Sequence, residues 1–225
     1  VLALIKAELL ALKQKYATPR LTALVPDEGE IAIEDLVANE GVIITMTYNG
    51  LIKRTNVSSY RSQRRGGKGV IGMVTREGSG GEGEPPDFIE HLFTASTHDY
   101  LMFFTNTGRV YVERVLEIPD MGRASKGRSI ANLLELQSGE KIAALIRVVA
   151  RTGPNKEDLT WEQPEFIFFA TSRGTVKKTA LAEFASVRKG GIVAIGIEAG
   201  DTLIDVKLTG GHNEVVLITR EGMSI

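Results

Sequence analysis

The stretch YRSQRRGGKGVIGM, residues 60–73, combines clustered positive charge with glycine. Four bases and no acid fall within eight residues: Arg61, Arg64, Arg65 and Lys68. Arginine can hold phosphate oxygens through two parallel hydrogen bonds, and lysine adds a point charge. Glycines beside the lysine leave backbone N–H groups free to approach an anion. These residue types at this spacing predict a loop that binds backbone phosphates and does not read bases.

The same loop does not fit a nucleotide-binding site. A Walker A loop needs a glycine, four residues, then Gly-Lys followed by Ser or Thr. Here Gly69 follows Lys68, and Ser62 stands where the first glycine should be. No hydroxyl is in place for Mg²⁺, and the chain also carries no dinucleotide fingerprint, no Ser–His–Asp set and no obvious pair of carboxylates. A phosphate-binding role without catalysis remains.

The charge distribution supports a local role for this loop although the net charge is only −1. Residues 27–40 hold six acids and no base, residues 50–76 seven bases and no acid, and residues 77–90 five acids and no base. A block of one sign creates a local field whatever the total charge is. A merely solvated polar face is the competing interpretation.

Other chemistry is poorly supported. The chain has no cysteine, which excludes disulfides and thiolate chemistry and is compatible with a reducing cytoplasm. Three histidines lie far apart in sequence, so no metal site is expected: His91, His98 and His212. No apolar run is long enough to cross a membrane, and the first residues do not read as a signal peptide.

Residues 1–16 predict a helix. Apolar residues recur at heptad spacing and Pro19 ends the pattern: Leu2, Ile5, Leu9, Leu12 and Tyr16. We interpret residues 1–30 as the end of a coiled-coil helix of a preceding domain with its linker, and residues 31–225 as a separate domain.

Residues 31–225 contain a fourfold repeat of short β-rich segments. Aligned on one glycine the repeats read IITMTYNGLIKRT, LMFFTNTGRVYVE, FIFFATSRGTVKKT and VVLITREGMSI. Each predicts a hairpin, and its glycine supplies the positive φ of the tight turn: Gly50, Gly108, Gly174 and Gly222. Between hairpins, a basic glycine-containing turn precedes an apolar strand, and a further strand leads to the next hairpin.

About four strands in each repeat indicate the blades of a β-propeller. The predicted fold is mainly β, a partial propeller of four-stranded blades after a short N-terminal helix. Three blades are expected to be complete, with a fourth that stops after one hairpin.

Bases recur at corresponding places in the repeats, which predicts a curved basic rim suited to a bent polyanion. Outside the first loop the predicted backbone contacts are Lys53, Arg54, Arg61, Arg109, Arg114, Arg123, Lys126, Arg128, Arg173, Lys177, Lys178, Arg188 and Lys189.

These residues resemble a known family. QRRGGKG matches the seven-residue box of the A subunit of bacterial DNA gyrase at every position: Gln63, Arg64, Arg65, Gly66, Gly67, Lys68 and Gly69. The resemblance covers essentially the whole chain, from ELLALKQKYATPRLTAL, similar to the last coiled-coil helix of that subunit, to ATSRGTVKKTALAEF, similar to its third blade.

The resemblance implies a β-pinwheel, the family's six-bladed form of propeller, that wraps duplex DNA around its rim without sequence preference, with the box completing the wrap. Strand passage through that wrap yields negative supercoils at the expense of ATP. The implied partners are DNA, the gyrase B subunit in an A2B2 complex and a second copy of the A subunit, with no membrane partner. No cofactor is expected in this chain, since ATP and Mg²⁺ act elsewhere in the complex.

The family's catalytic tyrosine follows an arginine, and no tyrosine of this chain does. No catalytic residue is therefore predicted here. Two alternatives remain: the C-terminal domain of a topoisomerase IV A subunit, which typically lacks an intact box, and a propeller that binds protein.

Overall fold

A computed structural model describes residues 1–18, 22, 36–60, 67, 69–75, 86–152, 159–161 and 165–225. The chain divides into two units, Val1–Leu36 and Val37–Ile225. The domain boundary predicted after residue 30 lies outside the described residues, so it stays a prediction.

The first unit contains the predicted helix, α1, Leu2–Tyr16. Lys13 and Lys15 lie in its last turn, where cations favour the negative end of the helix dipole. The helix ends at Ala17, whose backbone is extended, two residues before Pro19. No residue of α1 is buried, so the predicted packing of its apolar seam stays a prediction.

The second unit is built on the predicted hairpins. Three have regular strands: β1 (Gly41–Thr47) with β2 (Leu51–Asn56), β4 (Tyr100–Thr105) with β5 (Arg109–Arg114), and β10 (Phe166–Thr171) with β11 (Val176–Ala180). The fourth is a single antiparallel bridge between Ile218 and Ser224. All four alignment glycines have φ between 77° and 87°, as their turns require.

A threonine completes each of these turns. Each aligned glycine donates its N–H to the carbonyl of a threonine three residues earlier: Thr47, Thr105, Thr171 and Thr219. The hydroxyl of the same threonine accepts the N–H of the residue after the glycine, at 3.0–3.2 Å. The turn therefore needs Thr-x-x-Gly, a more specific pattern than the polar pair plus glycine seen in the alignment.

Each regular hairpin gains a strand on its first-strand side. These strands are β3 (Ile89–Ser96), β7 (Ile142–Val148) and β13 (Leu203–Thr209). They pair antiparallel with β1, β4 and β10, as predicted for the strand within each repeat that lies next to a hairpin.

The strand on the other side of the hairpin comes from the following repeat. β6 (Arg128–Ser129) pairs with β2, and β12 (Ile192–Val193) pairs with β5. The sheet orders are β3-β1-β2-β6, β7-β4-β5-β12 and β13-β10-β11. We call β6 and β12 the exchanged strands. They correct the expectation that each blade takes its strands from one continuous repeat, because the hydrogen-bonding edge nearest to each basic turn belongs to the preceding hairpin.

Within the described residues the third sheet has three strands, not the four expected of a complete blade. A short ladder, β8 (Ala150–Thr152) with β9 (Leu159–Trp161), lies in a segment whose composition is typical of a loop.

The cores lie between successive sheets. Side chains alternate along β4: Leu101 and Phe103 join the core shared with the first repeat, and Met102 and Phe104 join the core shared with the third. All four are fully buried, and each contributes about 1.5–3 kcal/mol through apolar burial. A continuous apolar run therefore marks a strand with both faces covered.

Buried acids brace the turns of the second and third hairpins. Glu140 accepts hydrogen bonds from the Thr107 and Tyr111 hydroxyls at 2.7 and 2.8 Å. Burial opposes ionisation of Glu140, but these bonds and one from the Gln137 N–H hold its pKa below the ordinary value. Asp201 takes the corresponding place in the third repeat, where it accepts from the Ser172 hydroxyl at 2.7 Å.

Replacement of Gly127 by alanine tests how tightly the exchanged strand is seated. Gly127 has φ +85°, and a Cβ there would lie 2.9 Å from the Ile52 carbonyl oxygen. We expect a loss of about 2–4 kcal/mol in unfolding free energy, combining the left-handed penalty with the overlap. Chemical denaturation measures it.

Two controls separate the causes. Gly139 has φ +83° with open space around its Cβ position, and Gly122 has open space and no positive φ. Gly139→Ala should lose about 1–2 kcal/mol and Gly122→Ala little, since only the former incurs the left-handed penalty. Equal losses at Gly127 and Gly139 would contradict the close seating.

The Asp201 carboxylate predicts a pH-dependent contribution to stability. A hydrogen bond from the Thr171 hydroxyl, with further bonds from Ser172, Thr202 and Arg173 and against the effect of burial, lowers its pKa from 3.8 to about 2. A carboxylate with a lower pKa in the folded state stabilises the fold above its unfolded pKa, and that contribution is lost as the pH falls. The difference in Tm between wild type and Asp201→Asn should be constant near neutral pH and narrow between about pH 4 and 2. A difference independent of pH would contradict this role.

Candidate nucleic-acid interface

Most of the first basic loop lies outside the described residues. That is so for Arg61 and for five of the seven residues in the predicted box: Gln63, Arg64, Arg65, Gly66 and Lys68. Gly67 and Gly69 are described, and both are exposed. The following residues include exposed apolar side chains, Val70 and Ile71 among them. The role of the box therefore stays a prediction.

Two later basic turns are brought to corresponding places on successive sheets. Lys126 precedes β6 and Arg128 opens it, while Arg188 and Lys189 lie just before β12. All four side chains belong to exposed residues. Because β6 adds to β2 as β12 adds to β5, the two turns border equivalent edges of the first and second sheets. The repeat thus places exposed cations at regular intervals along one side of the second unit.

Three exposed bases belong to the third hairpin, and each also makes a contact within the protein. Lys177 donates from Nζ to the Ala194 carbonyl oxygen at 2.7 Å. Lys178 lies over the Phe166 ring with Nζ 4.2 Å from its centre. Arg173 donates to the Ala199 carbonyl oxygen at 3.3 Å. Exposure keeps these cations accessible to an anion, and the contacts restrict their motion.

Four predicted contacts are only partly exposed: Arg54, Arg109, Arg114 and Arg123. Arg54 lies 3.9 Å from Asp120, and Arg114 donates to Glu117 at 2.8 Å. Arg109 donates to the carbonyl oxygens of Gly190 at 2.6 Å and Gly191 at 3.2 Å. These internal bonds leave the arginines that make them less available to phosphate than the exposed bases.

Lys53 is wrongly predicted as a backbone contact. The residue is fully buried, and its ammonium donates to three carbonyl oxygens, those of Gly122 at 3.2 Å, Arg123 at 2.5 Å and Ser125 at 3.0 Å. An ammonium has three N–H donors, and all three are engaged. Burial lowers the pKa of Lys53. Position within the repeat marked Lys53 as a rim residue, but the second strand of a blade also faces the core, and the sequence did not separate the two sides.

Sequence reasoning also missed the residues that hold the basic turns in place. The Thr55 hydroxyl donates to the Met121 carbonyl oxygen at 3.1 Å, at the start of the second basic turn. Gly127 and Gly191 lie against the Ile52 and Val110 carbonyl oxygens at corresponding places in the two exchanges. The aligned glycines of these turns were the available signal.

The described residues offer little to a metal or a small anionic ligand. Among them no group of three His, Cys, Asp or Glu residues could hold a metal ion. An open cleft of about 560 Å³ is lined in part by Glu113, Glu117 and Glu135. Burial and the neighbouring Glu117 raise the pKa of Glu113. A cleft with these acids favours no phosphate ligand. In the same part of the chain no helix is long and apolar enough to cross a membrane.

Comparison with known proteins agrees with this architecture. A family model for the "DNA gyrase C-terminal domain, beta-propeller" matches residues 41–80, 99–148 and 165–209. These three ranges contain the three regular hairpins and the strands paired with β4 and β10.

The matched relatives are much longer proteins. The chain is 43% identical over its full length to the DNA gyrase A subunit of Halalkalibacterium halodurans and covers 25% of that protein. It is 39% identical to the DNA gyrase A subunit of Streptomyces coelicolor, with 99% of the chain covering 24% of the relative. The chain thus spans about a quarter of the length of the relatives it matches.

Solved structures share the fold. The C-terminal domain of DNA topoisomerase IV matches with TM-score 0.60 and 28% identity, over 84% of this chain and 52% of that one. A DNA gyrase A C-terminal domain matches with TM-score 0.57 and 23% identity, over 82% of this chain and 53% of that one, which supports the fold alone. With the family model covering more than half of its residues, the chain belongs to the DNA gyrase C-terminal domain family of β-propellers.

Proposed function

We propose that the second unit binds the phosphate backbone of duplex DNA along its exposed basic turns. The observation that carries the proposal is the repetition of exposed cations beside both exchanged strands, Lys126 and Arg128 at β6 and Arg188 and Lys189 at β12. Flexible lysines and forked guanidinium groups suit phosphate oxygens, and spacing by repeat suits a regular polyanion. Contacts of this kind set the position of DNA without reading its sequence.

The same arrangement favours bent DNA. Cations that recur from sheet to sheet around a propeller lie along a curved path, so a duplex must bend to reach several turns at once. Smooth bending of 20–30 base pairs by 40–90° costs about 1–6 kcal/mol, and many phosphate contacts must jointly offset that cost. Gln63–Gly69 would add three cations and side-chain-free backbone at one more turn.

In the whole protein this domain would act as the DNA-wrapping part of a gyrase. Wrapped DNA would be presented for strand passage, and the complex with the B subunit would convert ATP hydrolysis into negative supercoils. The A2B2 arrangement, the use of ATP and Mg²⁺, and a cytoplasmic site of action belong to that proposal. This chain contributes binding without a cofactor of its own.

A topoisomerase IV C-terminal domain is the second candidate. The similarity to a topoisomerase IV C-terminal domain, at 28% identity, favours it. The intact QRRGGKG segment favours the gyrase type. Chirally wrapped DNA distinguishes the two, since a topoisomerase IV domain is expected to bind DNA with little wrapping.

Salt dependence tests phosphate binding. The logarithm of the binding constant should fall linearly with the logarithm of salt concentration, by about 0.9 for each neutralised phosphate. Lys126→Met should reduce that slope by about one contact. Lys207→Met removes an exposed lysine from β13, away from the exchanged strands, and should leave the slope unchanged. Fluorescence anisotropy with a short duplex measures both, and a flat salt response would overturn the proposal.

Alanine replacement of Gln63–Gly69 tests wrapping. We expect wrapping to weaken far more than binding, because the other basic turns still hold a straighter duplex. In the full enzyme with its B subunit, supercoiling should be lost and relaxation retained, since relaxation needs no wrap. Agarose-gel assays of plasmid topology measure both reactions.

A charge-transplant variant controls for charge alone. It deletes the box and places the same three cations in a neighbouring loop. Supercoiling should stay lost in this variant if the loop geometry matters. Full recovery of supercoiling would mean that only the added charge counts.

A further inference from the structure

Lys53 occupies the inside of a loop that belongs to the next repeat. That repeat meets the edge of β2 twice. Asp120 forms a parallel bridge with Arg54, and further along the chain Arg128 pairs with Ile52. Residues 121–127 lie between these two contacts, opposite Lys53. The Lys53 ammonium meets the carbonyl oxygens of Gly122, Arg123 and Ser125 there.

The loop around Lys53 is the second basic turn. Lys126 and Arg128 are exposed and Arg123 is half-buried, and all three are predicted phosphate contacts. Two backbone bonds between Arg54 and the segment at Pro119 and Met121, each 3.0 Å, fix where this loop begins. Lys53 is then the one described side chain whose charged head binds three backbone groups of the loop.

Arg109 repeats the arrangement one blade further on. It lies in β5 and donates to the carbonyl oxygens of Gly190 and Gly191 in the turn that carries Arg188 and Lys189. That turn leads into β12, which pairs with β5 at Val110 and at Arg109 itself. In both exchanges, therefore, a cation of one repeat holds carbonyls of the basic turn supplied by the next.

The electrostatic consequence is specific to phosphate binding. Carbonyl oxygens carry partial negative charge and would repel a phosphate if they lay on the outer face of the turn. An interior cation draws them inward and offsets their charge directly beneath the exposed bases. Burial lowers the pKa of Lys53, so the ammonium is costly to keep in the folded protein. Apolar packing would fill the same space without that cost.

We propose that Lys53 is a positioning residue, which binds no phosphate itself and holds the second basic turn so that Lys126 and Arg128 reach the DNA backbone; Arg109 does the same for the third turn. The role rests on the proposed function, since it concerns how that interface is assembled. It assigns two of the bases marked by sequence position to the support of the interface.

A mutant cycle tests this role. Lys53→Met keeps length and removes charge, and the double variant Lys126→Met/Arg128→Met removes the exposed bases of the turn. Lys53→Met alone should weaken binding of a short duplex at least threefold. In the double-variant background it should have no further effect, because the bases through which it acts are gone. Equal fold-losses in both backgrounds would overturn the proposal, whether Lys53 contacts phosphate or supports the fold as a whole.

A measurement without DNA tests the structural half. In the free protein, Lys53→Met should speed amide hydrogen exchange within residues 121–127 and leave β4 protected. Unchanged exchange in the turn would overturn the positioning role. In wild type, acetylation with an amine-reactive ester should modify Lys126 and Lys189 and spare Lys53; rapid labelling of Lys53 would overturn its enclosure.

A parallel cycle covers the case in which Lys53→Met does not fold. Arg109→Met should weaken binding in wild type and have no further effect on Arg188→Met/Lys189→Met; additive losses would overturn the proposal here too. Failure of wild type to bind duplex DNA would overturn the proposed function itself. Additive cycles in a protein that does bind DNA would overturn only the positioning role.

Discussion

The exchange of a strand between neighbouring repeats is the constraint on which the rest of the second unit depends. β6 and β12 are only two residues long, yet each ties its repeat to the hairpin before it. Such short strands hold little by themselves. They are reinforced by glycines that fit against a carbonyl of the preceding hairpin and by side chains that bind the adjoining turn. The basic turns are therefore part of the joint between blades and not free surface loops.

This joint links the apolar core to the interface. The two cores lie between successive sheets, so burial stacks the blades, and the exchanged strands set where each turn emerges from the stack. Buried polar groups do the finer positioning. The acid–hydroxyl network at Glu140 supports one hairpin turn, and the ammonium of Lys53 supports a basic turn. A buried polar group is stable only when its hydrogen bonds are made, so each one specifies a single arrangement of the chain around it.

Much of this architecture was predictable from the sequence because it rests on local chemistry. The helix followed from heptad spacing up to Pro19, and the hairpins followed from an aligned glycine between apolar runs. Positive φ at Gly50, Gly108, Gly174 and Gly222 is a local requirement of a tight turn, so four sequence positions sufficed to place four turns. Exposure of Lys126, Arg128, Arg188 and Lys189 also follows from their place in polar, glycine-containing turns.

The pairing partner of each strand was decided only by tertiary structure. A two-residue strand such as β6 has no periodicity that could name its partner, and nothing local shows that Arg128 pairs with Ile52, 76 residues away. The same holds for the bases. Lys53 and Lys126 carry the same side chain in similar basic segments, yet one is fully buried and the other is exposed. The sequence determined which segments turn, extend and carry charge, because those properties depend on neighbouring residues; the fold decided which charges face outward, because that depends on which distant backbone groups each cation meets.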